Sequence, residues 1–473
     1  MNSHDAEVHE SHPQLTPLKI IGAILLLLCL LGVFMWFQAR QKINYLERME
    51  AEGKFYSSSI YPSWVYQYGL DGVLPESYFQ QIDMVQFESD KEVEEFRRYF
   101  EFSDLSDISL YSEQITNRTV SLLGDIENLN FLYISSTSID DAGLQQLSSL
   151  TGIQSLLLSG GNLTDAAFRN IQQATALNTI SLHDMQLTDE SISHLIKNRK
   201  ISSYYISSVP LTSQGIDKLL EASVLINLNL SGLATTELST AQIERLAQHQ
   251  ELQALGLDLN FSLTDFSHLA RLPALTELKI VKVELTDNEL LMLQSTNMLE
   301  SLELRGKEIT AKGLSHVLRN QGMFRLRLIE IPITAEVAQL LALQDYYGIE
   351  FESTSITREV AELMPGLGGG CDSLALRHVM IEPGVIAELI NTGNLTDITI
   401  DHTQPGDEDF EALKDLQEDV SFIALIGIEI SESQFEILKS LTNLSAIWTE
   451  KTNLTDQQLD ELKEALPDCE FSY

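Results

Sequence analysis

Apolar residues in this chain fall into short triads that recur about every 24 residues, as in Leu129/Leu132/Ile134, Ile153/Leu156/Leu158 and Leu299/Leu302/Leu304. After the first triad come a polar turn, Ile139, an Asp-Asp pair, and then Leu144, Leu147 and Leu150 at helical spacing. The alternating positions predict a short strand, and the leucines after the turn predict a short helix. Neither element can bury its apolar face alone, but stacked copies bury one another. An Ile or Leu followed by small polar residues marks the register at Ile115, Ile139, Leu163, Leu187, Leu211, Leu238, Leu263, Leu285, Ile309, Ile333, Ile356, Ile381, Ile430 and Leu454, with Pro405 in the same place. Eight of the fourteen intervals are 24, and the longest, 27, puts an irregularity near Ser231–Thr240.

A repeated strand and helix in constant register predict a right-handed stack with a parallel ladder of about 17 strands inside and helices outside. At about 4.8 Å per strand the inner face would run about 75–80 Å, curved because strands pack more narrowly than helices.

The Leu-x-x-Leu-x-Leu spacing followed by Ile-Thr-Asp-x-x-Leu resembles the leucine-rich-repeat family in its ribonuclease-inhibitor-like form. The ending Leu454-Thr-Asp…Leu462-Lys-Glu-Ala-Leu-Pro-Asp-Cys469 resembles that of bacterial membrane-anchored members. The resemblance implies an α/β leucine-rich-repeat solenoid, with a curved parallel sheet inside, helices outside and an N-terminal transmembrane helix. It also implies a protein or peptide ligand on the concave face. The chain departs from the family's Asn or Cys ladder, carrying Thr137, Gly161, Met185, Val209 and Thr403 at that position.

The N-terminal part sets the expected domain order. Residues 1–19 read as a disordered tail. Ile20 to Phe37 is uncharged and mostly apolar, about 27 Å as a helix, and so reads as a membrane span. Lys19 is the only Lys or Arg before it and no small-residue cleavage site follows, which argues against a removed signal peptide. Arg40, Lys42, Arg48 and Lys54 would keep the repeats cytoplasmic, whereas analogy with anchored binding domains would export them, so the side is open. Residues 38–54 read as a helical stalk, 55–104 as an irregular segment and N-terminal cap, and 105–473 as the solenoid.

Charge and chemistry narrow the function. With 30 basic against 69 acidic residues the net charge is -39, which disfavours nucleic acid as a partner. Asp141, Asp165, Asp189, Asp265, Asp287 and Asp456 fall at expected helix starts, where carboxylates suit the helix dipole. Cys371 and Cys469, four repeats apart, are too distant for a disulfide and read as buried free thiols. Gly366-Leu-Gly-Gly-Gly370 follows a helix rather than a strand and lacks Gly-Lys-Ser/Thr, so it reads as a connection, not a phosphate loop. His183, His194, His249, His268, His316, His378 and His402 stand singly in the sequence, so no catalytic set, metal site or cofactor is expected. A membrane-anchored interaction scaffold is the leading reading. The alternatives are a structural envelope protein without a discrete ligand, or an enzyme with its site on the concave face.

Two groups on the inner face are candidate partner-binding residues. Tyr111, Phe131 and Tyr133 lie at strand positions opposite in parity to the core triad and form an aromatic cluster. Six residues before successive anchors stand Lys279, Glu303, Arg327 and Glu350, alternating in sign on neighbouring strands. A second row, four residues before the anchors, holds Arg305, Glu352, Arg377 and Asp401, interrupted by Ile329, and Arg325 adds another cation. The rows read as register support, or as a patch where Arg305, Arg325 and Arg327 meet an acidic partner segment.

Overall fold

The computed structural model describes residue 37, residues 40–59 and, apart from short breaks, residues 80–472. The tail, nearly all of the apolar segment Ile20–Phe37 and most of the glycine-rich connection at 366–370 lie outside the described residues. Among the described residues no helix is long and apolar enough to cross a membrane.

Among the described residues one sheet of 18 strands runs through the molecule. Seventeen are parallel, from Gln80–Ser89 to Glu470–Ser472, and each pairs with the corresponding strand of the next repeat. The first strand, Phe55–Ser59, lies antiparallel to Gln80–Ser89, within a segment the sequence reads as irregular. Its Tyr- and Ser-rich composition carries no clean alternation, and pairing with the exposed sheet edge supplies the order instead.

Strands such as Phe131–Ser135, Ser155–Ser159 and Ser301–Arg305 alternate half-buried and buried positions. The buried residues are the core triads, packed beneath the helical segments, and one apolar core extends from Tyr45 to Leu466. Where the family's Asn ladder is missing, Met185 and Val209 are simply buried, and Thr403 Oγ accepts a hydrogen bond from the Val379 amide. The 27-residue interval leaves strand pairing intact, because Asn227–Ser231 and Ala254–Leu257 stay in register and the extra residues enter the turn.

The Thr-Asp pair of each repeat does more than suit a dipole. Thr164, Thr188, Thr212 and Thr310 are N-caps, each accepting a hydrogen bond from the amide two residues on. Each cap is itself gripped by the Asp of the preceding repeat. Asp165 accepts from Thr188 N at 2.9 Å and Oγ at 2.6 Å, Asp189 from Thr212 at 2.9 and 2.5 Å, and Asp287 from Thr310 at 2.8 and 2.7 Å. Asp90 and Asp141 hold Thr116 and Thr164 likewise. These carboxylates form lateral clamps along the helical edge. At Ala311, Ala335 and Arg358 the clamping carboxylate is absent from the motif, and it returns at Asp407, which accepts from the Ser431 cap at 3.2 Å.

At the Asp189 and Asp287 clamps the residue three after the Thr is a glycine packed against the carboxylate, whereas the Asp141 and Asp165 clamps stand beside Ala167 and Ser191. A Cβ on Gly215 would sit 2.2 Å from Asp189 Oδ1, and one on Gly313 would sit 2.1 Å from Asp287 Oδ1.

The expected stalk is helical at 40–51, but it is docked rather than free. Tyr45, Leu46 and Met49 are buried, and the Tyr45 ring packs against Phe96, Tyr99 and Phe100 of the cap. Arg48 pairs with Glu95 at 3.0 Å. Cys371 is buried and burial pushes its thiol up to about 11, but Cys469 is only half-buried. The buried-thiol expectation therefore holds at Cys371 and fails at Cys469.

Candidate functional site: the open face of the sheet

Side chains that alternate away from the core line the face opposite the helices. Strand register places one of these from every repeat in a single central row. Its members are Ser109, Tyr133, Leu157, Ser181, Tyr205, Asn229, Gly256, Lys279, Glu303, Arg327 and Glu350, each the cross-strand partner of the next. The row continues through Ala375, Thr399 and Ala424 to Trp448. It is aromatic and apolar in the first part and charged in the middle, with Gly256 at the change. A Cβ on Gly256 would lie 2.3 Å from the Asn229 amide nitrogen, so the glycine lets that side chain lie flat.

The aromatic part is a shallow recess of about 450 Å³ lined by Tyr111, Phe131, Tyr133, Leu157, His183 and Tyr205, with serines and Asn229 between them. The Tyr111 and Tyr133 rings meet edge to face with centroids 4.8 Å apart. Phe131 and Tyr133 are half-buried, whereas Tyr111 is 37% and Tyr205 40% exposed. Burial, then the neighbouring Tyr133, pushes the Tyr111 phenol above its ordinary value. Leu157, Tyr205 and Trp448 were legible by the same count that finds Lys279, since each stands six residues before its anchor. Whether residues 60–79 cover this recess falls outside the described residues.

The charged part is a closed ionic lattice. Lys279 pairs with Glu303 at 2.8 Å, and Arg327 reaches Glu303 at 3.2 Å, Glu350 at 3.1 Å and also Glu352. Arg377 joins Glu350 at 2.6 Å to Asp401 at 2.8 Å, and Arg305 pairs with Glu330 at 2.6 Å. The Arg305 guanidinium holds the Glu330 carboxyl below its ordinary 4.5. Both rows therefore lie in register as their spacing implies, with Ile329 filling its gap as a nearly buried residue. Arg325 is different. Among the described residues it has no carboxylate partner, and its guanidinium lies over the Tyr347 ring at 5.1 Å. The two flank a recess of about 360 Å³.

No family model matches the chain, and no curated protein matches it either. Among solved structures it is similar to a leucine-rich-repeat protein of Leptospira interrogans, at 16% identity over 82% of this chain and 99% of that one, with a TM-score of 0.38. An internalin of Listeria monocytogenes shares 18% identity over 70% of this chain and 88% of that one, with a TM-score of 0.38. Toll-like receptor 13, in its complex with a single-stranded RNA, shares 15% identity over 80% of this chain and 60% of that one, with a TM-score of 0.44. What decides the fold is the chain's own geometry: one parallel strand and one helical segment per turn of about 24 residues, in unbroken register. It is a leucine-rich-repeat solenoid. In such a solenoid the stacked open positions form an extended surface that suits a protein-interaction scaffold.

Proposed function

We propose that the protein is a membrane-anchored scaffold whose solenoid receives an extended segment of a partner protein on its open face. The carrying observation is the aromatic recess around Tyr133 and Tyr205: large rings held half in water on rigid strands, bordered by serines that can hydrogen-bond a peptide backbone. Its apolar walls favour a segment with aromatic or aliphatic side chains. Farther along, the lattice acids and bases neutralise one another, which supports a register role for Lys279, Glu303, Arg305 and Arg327. Arg325 is left to meet a carboxylate of the same segment.

Anchoring is supported by Ile20–Phe37, and the docked helix at 40–51 would hold the first repeats close to the bilayer. The side of the membrane is to be read by protease shaving of intact cells.

The test is site-directed photocrosslinking in native membranes, with the probe at Leu157 on the open face or at Gln214 on the helical side. The expected result is a discrete adduct from Leu157, absent from Gln214 and lost when Phe131→Ser and Tyr133→Ser are combined. Equal adducts from both positions, or an adduct indifferent to the serines, would overturn the proposal.

A further inference from the structure

Three residues before the anchors Ile381 and Pro405 the chain has His378 and His402. The same place in successive repeats means adjacency in space, a signal that reading each histidine singly misses. Both occupy the left-handed turn that follows a strand, at φ 51° and 46°, and the His378 amide donates to the Asp401 carbonyl at 2.7 Å. Their imidazoles stack with centroids 4.6 Å apart and planes 23° from parallel. Both residues are exposed.

Asp401 completes the group. Its Oδ1 lies 2.6 Å from His402 Nδ1, and its other oxygen takes the Arg377 guanidinium at 2.8 Å. An ionised carboxylate only accepts, so His402 Nδ1 carries the proton and Nε2 presents its lone pair. A carboxylate–histidine pair of this kind is how proteins orient an imidazole toward a metal. The next turn residue is Gly427, and a Cβ there would come within 2.6 Å of His402 Nε2.

We propose that His378 and His402 form a surface site for a divalent transition-metal ion, with Asp401 as the positioning residue. One atom from each of the three residues lies within 4.8 Å of the others. Two imidazole nitrogens on one tetrahedral ion stand about 3.3 Å apart, and the exposed His378 ring closes on the ion by rotating about its own side-chain bonds while Asp401 holds His402. Imidazole donors select zinc, nickel or copper over calcium or magnesium. The remaining coordination positions fall to water, since Arg377 keeps half of the carboxylate. The site lies one strand row beyond the ionic lattice and is independent of the recess that carries the partner proposal.

The experiment is equilibrium dialysis of the purified full chain in detergent against ZnCl2 at pH 7.5, with a parallel thermal melt. His4, His9 and His12 in the tail provide a background, so the quantity read is the difference between variants. The test variant is His378→Asn combined with His402→Asn, because asparagine tolerates the left-handed turn and preserves the fold. The double variant should bind one zinc equivalent fewer and lose the zinc-induced rise in Tm while keeping the metal-free Tm. Asp401→Asn should retain the equivalent with about 10-fold or more weaker affinity. Unchanged stoichiometry and zinc-induced Tm shift in the double variant overturn the proposal. Unchanged affinity in Asp401→Asn removes the role given to that carboxylate.

Discussion

Replacing Gly215 with alanine should destabilise the solenoid, although the same change in most helices stabilises. Removing a helical glycine normally gains about 0.5–1 kcal/mol. Here the new methyl would lie 2.2 Å from Asp189 Oδ1 and 2.9 Å from its Cγ, so the carboxylate must withdraw. Withdrawal breaks both bonds to Thr212, at 2.9 and 2.5 Å. At this exposed rim each is worth about 1 kcal/mol. The net expectation is a loss of about 1–1.5 kcal/mol. Asp189→Ala alone should lose about 2 kcal/mol, and in its background Gly215→Ala should turn mildly stabilising. The coupling between the two changes is therefore about 2 kcal/mol, with a change of sign. Urea unfolding of the four proteins, followed by far-UV circular dichroism, measures it. If Gly215→Ala stabilises the parent protein, or shifts both backgrounds equally, the clamp is not what selects the glycine.

Arg327→Ala leaves Glu303, Glu350 and Glu352 facing one another, and should cost about 1–2 kcal/mol in low salt and less in 1 M NaCl. A Tm loss that is independent of salt would contradict a lattice held by charge. Asp90 is partly buried, which opposes its ionisation, yet bonds from Thr116 and Thr119 hold its carboxyl below 3.8. A carboxyl depressed in the folded state contributes stability that is present above its unfolded value and lost as pH falls through the folded one. The stability advantage over Asp90→Asn should therefore be flat from pH 7 to about 5 and shrink below about 4, and an advantage that grows on acidification would reverse the assignment. Lys451 has φ 53° and is largely exposed, so Lys451→Gly should raise stability by about 1 kcal/mol; a lower Tm refutes the strain argument. Gly427→Ala meets the His402 ring at 2.6 Å and should lower Tm instead.

How much of this could be read from the sequence depends on whether a property repeats. The strand rows were legible because period-two alternation and a 24-residue interval together assign every residue to a face and a column, as for Lys279, Glu303, Arg327 and Glu350. The same arithmetic reaches Tyr205 and the His378/His402 pair when applied to every column. The clamps were less legible. The sequence shows Asp189 at a helix start, but only the packing of adjacent turns reveals that its carboxylate serves Thr212 rather than its own helix. The docking of the helix at 40–51 on the cap was hidden for another reason, since Tyr45, Leu46 and Met49 meet partners from outside the repeat and obey no period.

The lateral clamps bear on how such a chain can be lengthened or shortened. Each is shared: the Asp belongs to one repeat, and the Thr that receives it belongs to the next. A copied repeat fits a new place only if its leading side offers the Thr and its trailing side the Asp that its neighbours require. Between Asp141 and Thr212 the three junctions share this Asp–Thr pairing, so whole turns there are interchangeable at the clamp. The next junction is not. Gln242 instead of a threonine cap reaches back to Ser213, whose place would hold the Asp. A turn moved across that seam would arrive with an unmatched edge, so duplication should have kept to one side of it.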